Sequence, residues 1–203
     1  MTQEEFISKV WGYYIMLEND FINTFQYVEP VDDNNLTYSK EYSKLLLSIF
    51  SEIDILCKEL CKLIENKDSN DVSKYNIDDY RNIIATYNNF LDESSTCLVD
   101  HQVLEPWNSW KEEKNPIWWR DYNKLKHDRL AKENYKLGNF INIKNSLAGL
   151  YILCRICYKY QYKNEPLPKS NLFIMNNWTS YVEIGGGLGW AIGNGRIGLK
   201  KIN

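Results

Sequence analysis

Residues 39–66 read SKEYSKLLLSIFSEIDILCKELCKLIEN. Tyr42, Leu45, Leu46, Ile49, Ile53, Leu56, Leu60 and Ile64 recur at intervals of three and four, which predicts one apolar stripe along a long helix from about Ser39 to Asn66. Upstream, Thr2 and Glu5 have the spacing of a capping box, and Phe6, Val10, Tyr13, Tyr14, Leu17, Phe21 and Phe25 continue at helical period to about Tyr27. Pro30 and the polar run 32–35 end that first helix. Downstream, Asn76 opens a third helix of about four turns carrying Tyr80, Ile83, Ile84, Tyr87 and Leu91. Residues 94–114 lack a period. Asn115 then reads as an N-cap with Pro116 at the first helical position, where its missing N–H costs nothing, and a short fourth helix runs to about Leu130. The fifth and most apolar helix spans about Asn139 to Tyr162, with Phe140, Ile143, Leu147, Leu150, Tyr151, Cys154 and Tyr158 as its stripe. The fold class expected is all-α: a bundle of about five helices over residues 1–162.

Beyond Pro166 and Pro168 the pattern changes, so that 163–203 is expected to be a Pro/Gly-rich C-terminal extension, a small β-hairpin or meander leaning on the helices. Short β-prone runs, Phe173–Met175 and Tyr181–Ile184, precede Asn194-Gly195, which is flanked by Trp190–Ile192 and Ile197–Leu199 and carries the signature of a hairpin turn. The GGGLG run at 185–189 matches no phosphate-binding spacing.

The 24 basic residues nearly balance the 27 acidic ones, so a net charge of −3 supplies no global attraction to nucleic acid. The opening MTQEEF lacks the basic start and apolar middle of a secretory signal, and no run approaches the roughly 18 apolar residues of a membrane span. A soluble, cytoplasmic protein with no membrane partner is expected, its five cysteines reduced. Cys57/Cys61 and Cys154/Cys157 have spacings that a tetrahedral zinc site would use, but both pairs sit in apolar helical stretches where cysteine packs as a small hydrophobe. No metal and no cofactor are expected.

Two histidines, His101 and His127, are too few for a histidine metal cluster, and neither a nucleophile elbow nor a Walker-type loop is present. The informative stretch is 115–129, NPIWWRDYNKLKHDR. At 100° per residue, Trp118, Tyr122 and Leu125 share one face while Arg120, Asn123, Lys124 and His127 project on the opposite one. Seven residues, almost two turns, put Arg120 and His127 on one face about 10 Å apart. A phosphodiester lying along the helix would meet a guanidinium fork and a proton-transferring imidazole. From Lys114 to Lys136 seven basic residues face three acidic ones, a local +4, and Trp110 or Trp119 nearby offers a ring for a base or, alternatively, anchors the core. An outward helix face of charged residues is also what any solvated helix presents.

Arg120 and Asp121, then His127, fit the Arg-x(4–6)-His motif of HEPN domains, and WWRDYNKLKHDR before a long apolar helix resembles the HEPN proteins of bacterial defence and toxin–antitoxin systems. The resemblance implies a HEPN-like bundle acting as a homodimeric, metal-independent endoribonuclease, a toxin or anti-phage effector. It implies that the substrate's 2′-OH attacks the adjacent phosphorus, giving a 2′,3′-cyclic phosphate and a 5′-OH. His127 would be the general acid or base and Arg120 the stabiliser of phosphoryl charge, with Asp121 and Asn123 orienting the pair. Lys124, Lys126 and Arg129 would add contacts to the RNA. Where some toxins carry a tyrosine that a partner nucleotidyltransferase modifies, two residues past the histidine, this chain has Arg129. The Gly-rich tail lies outside the basic family pattern, and an antitoxin or defence partner is a further expectation. The alternative is a non-catalytic HEPN-like module that binds a nucleotide, RNA or a protein.

Overall fold

A computed structural model describes residues 1–162 and 165–176, together with the backbone of three strands between 180 and 201. The body is helical. Helix α1 (Gln3–Phe6) begins at a capping box in which Thr2 and Glu5 satisfy each other's backbone N–H, as the spacing predicted. It runs through a π turn (Ile7–Trp11), closed by the Gly12 N–H on the Ile7 carbonyl, into α2 (Gly12–Asn23). The wider turn shifts the inward face: Trp11 is buried, and Tyr13, expected to point inward, is exposed. Helix α3 (Lys40–Glu65) takes its N-cap from Ser39 and ends at Asn66 in the left-handed conformation, the boundaries expected. After the short α4 (Ser69–Val72), α5 (Ile77–Ile84) is about half the length that its period suggested, because Asn88 and Asn89 turn the chain with positive φ. Helices α6 (Ile117–Asp128) and α7 (Phe140–Tyr162) complete the body.

Helix α7 is central. Its residues from Ile143 to Tyr158 are almost all buried, even Lys144 and Arg155, and α3 packs along its length. Lys144 forms an ion pair with Asp100 and donates to Gln102 Oε1 at 2.6 Å, so a fully enclosed ammonium tethers the 100–102 turn. All four helical cysteines lie in this core.

The stretch without period, 94–114, holds two short strands, β1 (Ser95–Cys97) and β2 (Val103–Leu104). They pair with β3 (Phe173–Met175) in an antiparallel sheet ordered β2-β1-β3. Residues 165–176 of the expected extension therefore pack on the body, with Leu172, Phe173 and Met175 buried. Glu18, fully enclosed on α2, fixes this strap: its carboxylate accepts from the Tyr14 hydroxyl (2.6 Å), the Ser170 hydroxyl and the Asn171 and Leu172 N–H groups (2.9 and 3.3 Å). Trp11 adds a 2.7 Å bond from its indole N–H to the Pro168 carbonyl.

Strands β4 (Ser180–Ile184), β5 (Leu188–Gly193) and β6 (Arg196–Lys201) form a separate antiparallel meander. The register Gly193↔Arg196 agrees with the hairpin expected there, and its turn residues Asn194-Gly195, like Gly185–Gly187 of the glycine run, lie outside the described residues. The fold is thus the helical bundle with a β appendage that was expected, and the described residues add a second small sheet, β2-β1-β3, on the body. Among the described residues, no helix is long and apolar enough to cross a membrane.

Candidate functional site on helix α6

Helix α6 starts differently from the sequence expectation. Pro116, not Asn115, occupies the cap position, and its carbonyl receives the Trp119 and Arg120 N–H groups at 3.1 Å. The Asn115 side chain is diverted to α5, accepting from Arg81 Nη1 at 3.0 Å. The apolar face is held strongly. Trp118 donates its indole N–H to the Pro106 carbonyl and packs edge-on to Trp107, whose own indole donates to the Gly149 carbonyl on α7. Gly149 has no side chain to keep those two rings off the α7 backbone. Phe50 of α3 lies flat on Tyr122, with centroids 3.6 Å apart. Leu125 completes the buried face.

On the opposite face Arg120, Lys124 and His127 are exposed and Asn123 is partly so. Among the described residues, Arg120 and His127 make neither a side-chain hydrogen bond nor an ion pair, so both remain available to a ligand. Asp121 faces elsewhere: one carboxylate oxygen accepts from Lys124 (3.0 Å) and the other from Asn142 of α7 (3.3 Å). It docks α6 on α7 and forms no hydrogen bond or ion pair with the Arg120 or His127 side chain. Asn123 and Lys126 line a groove of about 480 Å³ between α3, α5 and α6, with Lys126 5.5 Å from the Tyr122 ring. Burial and the neighbouring Asp54 carboxylate push the Tyr80 hydroxyl in this groove well above its ordinary pKa. His101 sits on the β1–β2 turn with positive φ, on another element.

The basic stripe is partly neutralised. Lys114 pairs with Glu112, Lys124 with Asp121 and Lys136 with Glu133, whereas Arg120, Lys126, Arg129 and Lys132 have no acidic partner among the described residues. Trp110 and Trp119 are buried in the aromatic core and closed to a base, which settles the two readings of these rings. The exposed rings near the end of α6 are instead Tyr38 and Tyr135, 5.7 Å apart and edge to face. Sequence reasoning passed over them because they meet only through backbone pairing. Tyr38 bridges to Asn139, and the Ser39 N–H donates to the Gly138 carbonyl.

All five cysteines are buried as free thiols. Burial raises the thiol pKa of Cys57 and Cys154 far above the ordinary value and that of Cys61 to about 12. Among the described residues, no group of three or more His, Cys, Asp or Glu side chains is arranged to hold a metal ion. No family model, curated protein or solved structure matches the chain.

Proposed function

We propose that the protein is a metal-independent endoribonuclease of HEPN type, acting as a toxin or anti-phage effector. One observation carries this reading: Arg120 and His127 project from a single exposed face of a helix whose other face is locked into the core, and neither is engaged by another side chain among the described residues. A rigid helix is the kind of support that a site with two working groups requires. Arg120 holds the scissile phosphate through paired, charge-assisted donors. His127 moves the proton as the ribose 2′-OH attacks phosphorus and the 5′-oxygen leaves. One histidine serves only one of the two proton transfers at a time. A homodimer bringing two α6 faces to a common cleft supplies the second, with Lys126 and Arg129 holding the flanking phosphates.

A non-catalytic module that binds a nucleotide, RNA or a protein is favoured by a different observation. Asp121, the residue best placed in sequence to orient the pair, is occupied by Lys124 and Asn142. The two readings separate on His127→Ala. If the protein is a ribonuclease, wild type cleaves RNA in excess EDTA, leaves 2′,3′-cyclic phosphate ends and sediments as a dimer. The variant then loses roughly 10²–10⁴-fold in rate while still binding RNA. Absence of cleavage by wild type, or cleavage that needs magnesium, rejects the nuclease proposed.

A further inference from the structure

Beyond the last turn of α6 the surface opens into a groove of about 760 Å³ between that helix end, the start of α3 and the 3-10 turn Asn134–Leu137. Tyr38 and Tyr135 stand in it as a half-exposed edge-to-face pair, and Leu130, 88% exposed, forms part of its apolar lining. The charged residues of the lining are Lys40, Lys44 and Arg129; Lys44 is paired with Glu41, whereas Lys40 and Arg129 have no acidic partner among the described residues. Lys136, paired with Glu133, stands about 6 Å from both tyrosine rings.

This composition selects an occupant. A second copy of the chain, docked through the same groove, would set like cations against each other across a twofold axis. An apolar peptide would leave Lys40 and Arg129 without counter-charges. An unpaired nucleotide has what is missing on each side: a π-face for the tyrosines and leucine, and a phosphate for the cations. The groove also continues the proposed site. Arg129 and Leu130 follow His127 by two and three residues, about 5 Å along the chain direction of the helix. The groove therefore borders the end of the helix that carries His127.

We propose that this groove is a subsite for single-stranded RNA, seating one unpaired base of the substrate against Tyr38 and Tyr135 while Arg129 and Lys40 hold its phosphates. This rests on the ribonuclease reading and names the form of RNA that the enzyme takes. Duplex RNA, whose bases are stacked internally, cannot use the rings.

The probe is a fluorescein-labelled single-stranded RNA of mixed sequence, about 12 nucleotides long, compared with the same sequence as a duplex. Binding is followed by anisotropy in the His127→Ala background, so that cleavage does not interfere. Tyr135→Ala and Tyr38→Ala each weaken single-strand binding roughly 5- to 150-fold, the range of one base–aromatic stack, and leave duplex binding unchanged. Tyr135→Phe, which keeps the ring, binds as the parent does, and circular dichroism checks that each variant is folded. The proposal is overturned if folded alanine variants bind single strands normally, if both RNA forms lose affinity equally, or if the variants instead dissociate a dimer. Cleavage by otherwise wild-type protein is scored separately. Tyrosine-dependent binding without any cleavage sustains the subsite and defeats the nuclease. Cleavage with tyrosine-independent binding does the reverse.

Discussion

Asp100 and His127 show what a single side chain costs to remove from two kinds of surroundings. Burial raises the Asp100 carboxyl pKa, but bonds from the Lys144 ammonium and the Gln102 backbone N–H outweigh it and hold the group below the ordinary carboxylate value. A carboxyl with a depressed folded pKa contributes stability above its unfolded pKa, near 3.9, and loses it as pH falls through the lower folded value. The native state therefore weakens in acid below about pH 4, and Asp100→Asn flattens that part of the curve. Asp100→Ala strands the enclosed ammonium and lowers stability by about 3 kcal/mol, the lower end for a broken buried pair. Lys144→Met costs less, because the remaining carboxylate is partly open to water. Urea denaturation of the three variants between pH 3 and 7 checks both the order and the pH range. His127→Ala stands at the other extreme. The imidazole is exposed and bonded to nothing described, so its loss changes stability by less than about 0.5 kcal/mol. A large fall in melting temperature would show that the residue is structural.

At the scale of elements, the turn carrying Tyr135 is held against α3 by a close approach that only glycine permits. A Cβ on Gly138 would lie 2.2 Å from Ser43 Oγ and 2.8 Å from its Cα. Gly138→Ala must lift the Asn134–Leu137 turn or push on α3, and overpacking of this kind costs about 1–3 kcal/mol. Equilibrium unfolding measures it, and an unchanged midpoint would mean that the contact yields freely. The long elements were legible beforehand: α3, α6 and α7 show a sustained period, and their bounds fall within a residue or two of those expected. The β1–β3 pairing was not, because Cys97 and Phe173 meet across more than seventy residues in strands of three residues each. The shortening of α5 lay in the consecutive asparagines after Tyr87, which continue an apparent helix in sequence yet adopt positive φ readily. The Arg120/His127 face was legible from angular spacing alone. The direction of the Asp121 side chain, and the tyrosine groove, depended on α7 and on a backbone bridge that no spacing announces.

For the whole molecule, the strap at 165–176 and the first helical layer are one cooperative unit. A chain ended after residue 162 loses the β3 partner of β1, three of the four donors to Glu18 and the buried Leu172, Phe173 and Met175 side chains. Losing three buried apolar side chains at about 1.5–3 kcal/mol each is comparable with the stability of a small domain. The expected outcome is a truncated protein without a sharp thermal transition, partly rescued by Glu18→Gln, and a normal melt from the truncated chain would contradict this. The same contact has a consequence during synthesis. Ser170, Asn171 and Leu172 leave the ribosome after every residue of α6 and α7, so the carboxylate on α2 waits for its donors until nearly the entire helical body has emerged. Closure of this layer is thereby deferred until the strap has been made, and a chain that stalls before residue 170 lacks three of the donors to Glu18 and the apolar cover of the strap, an exposed surface that quality control can recognise.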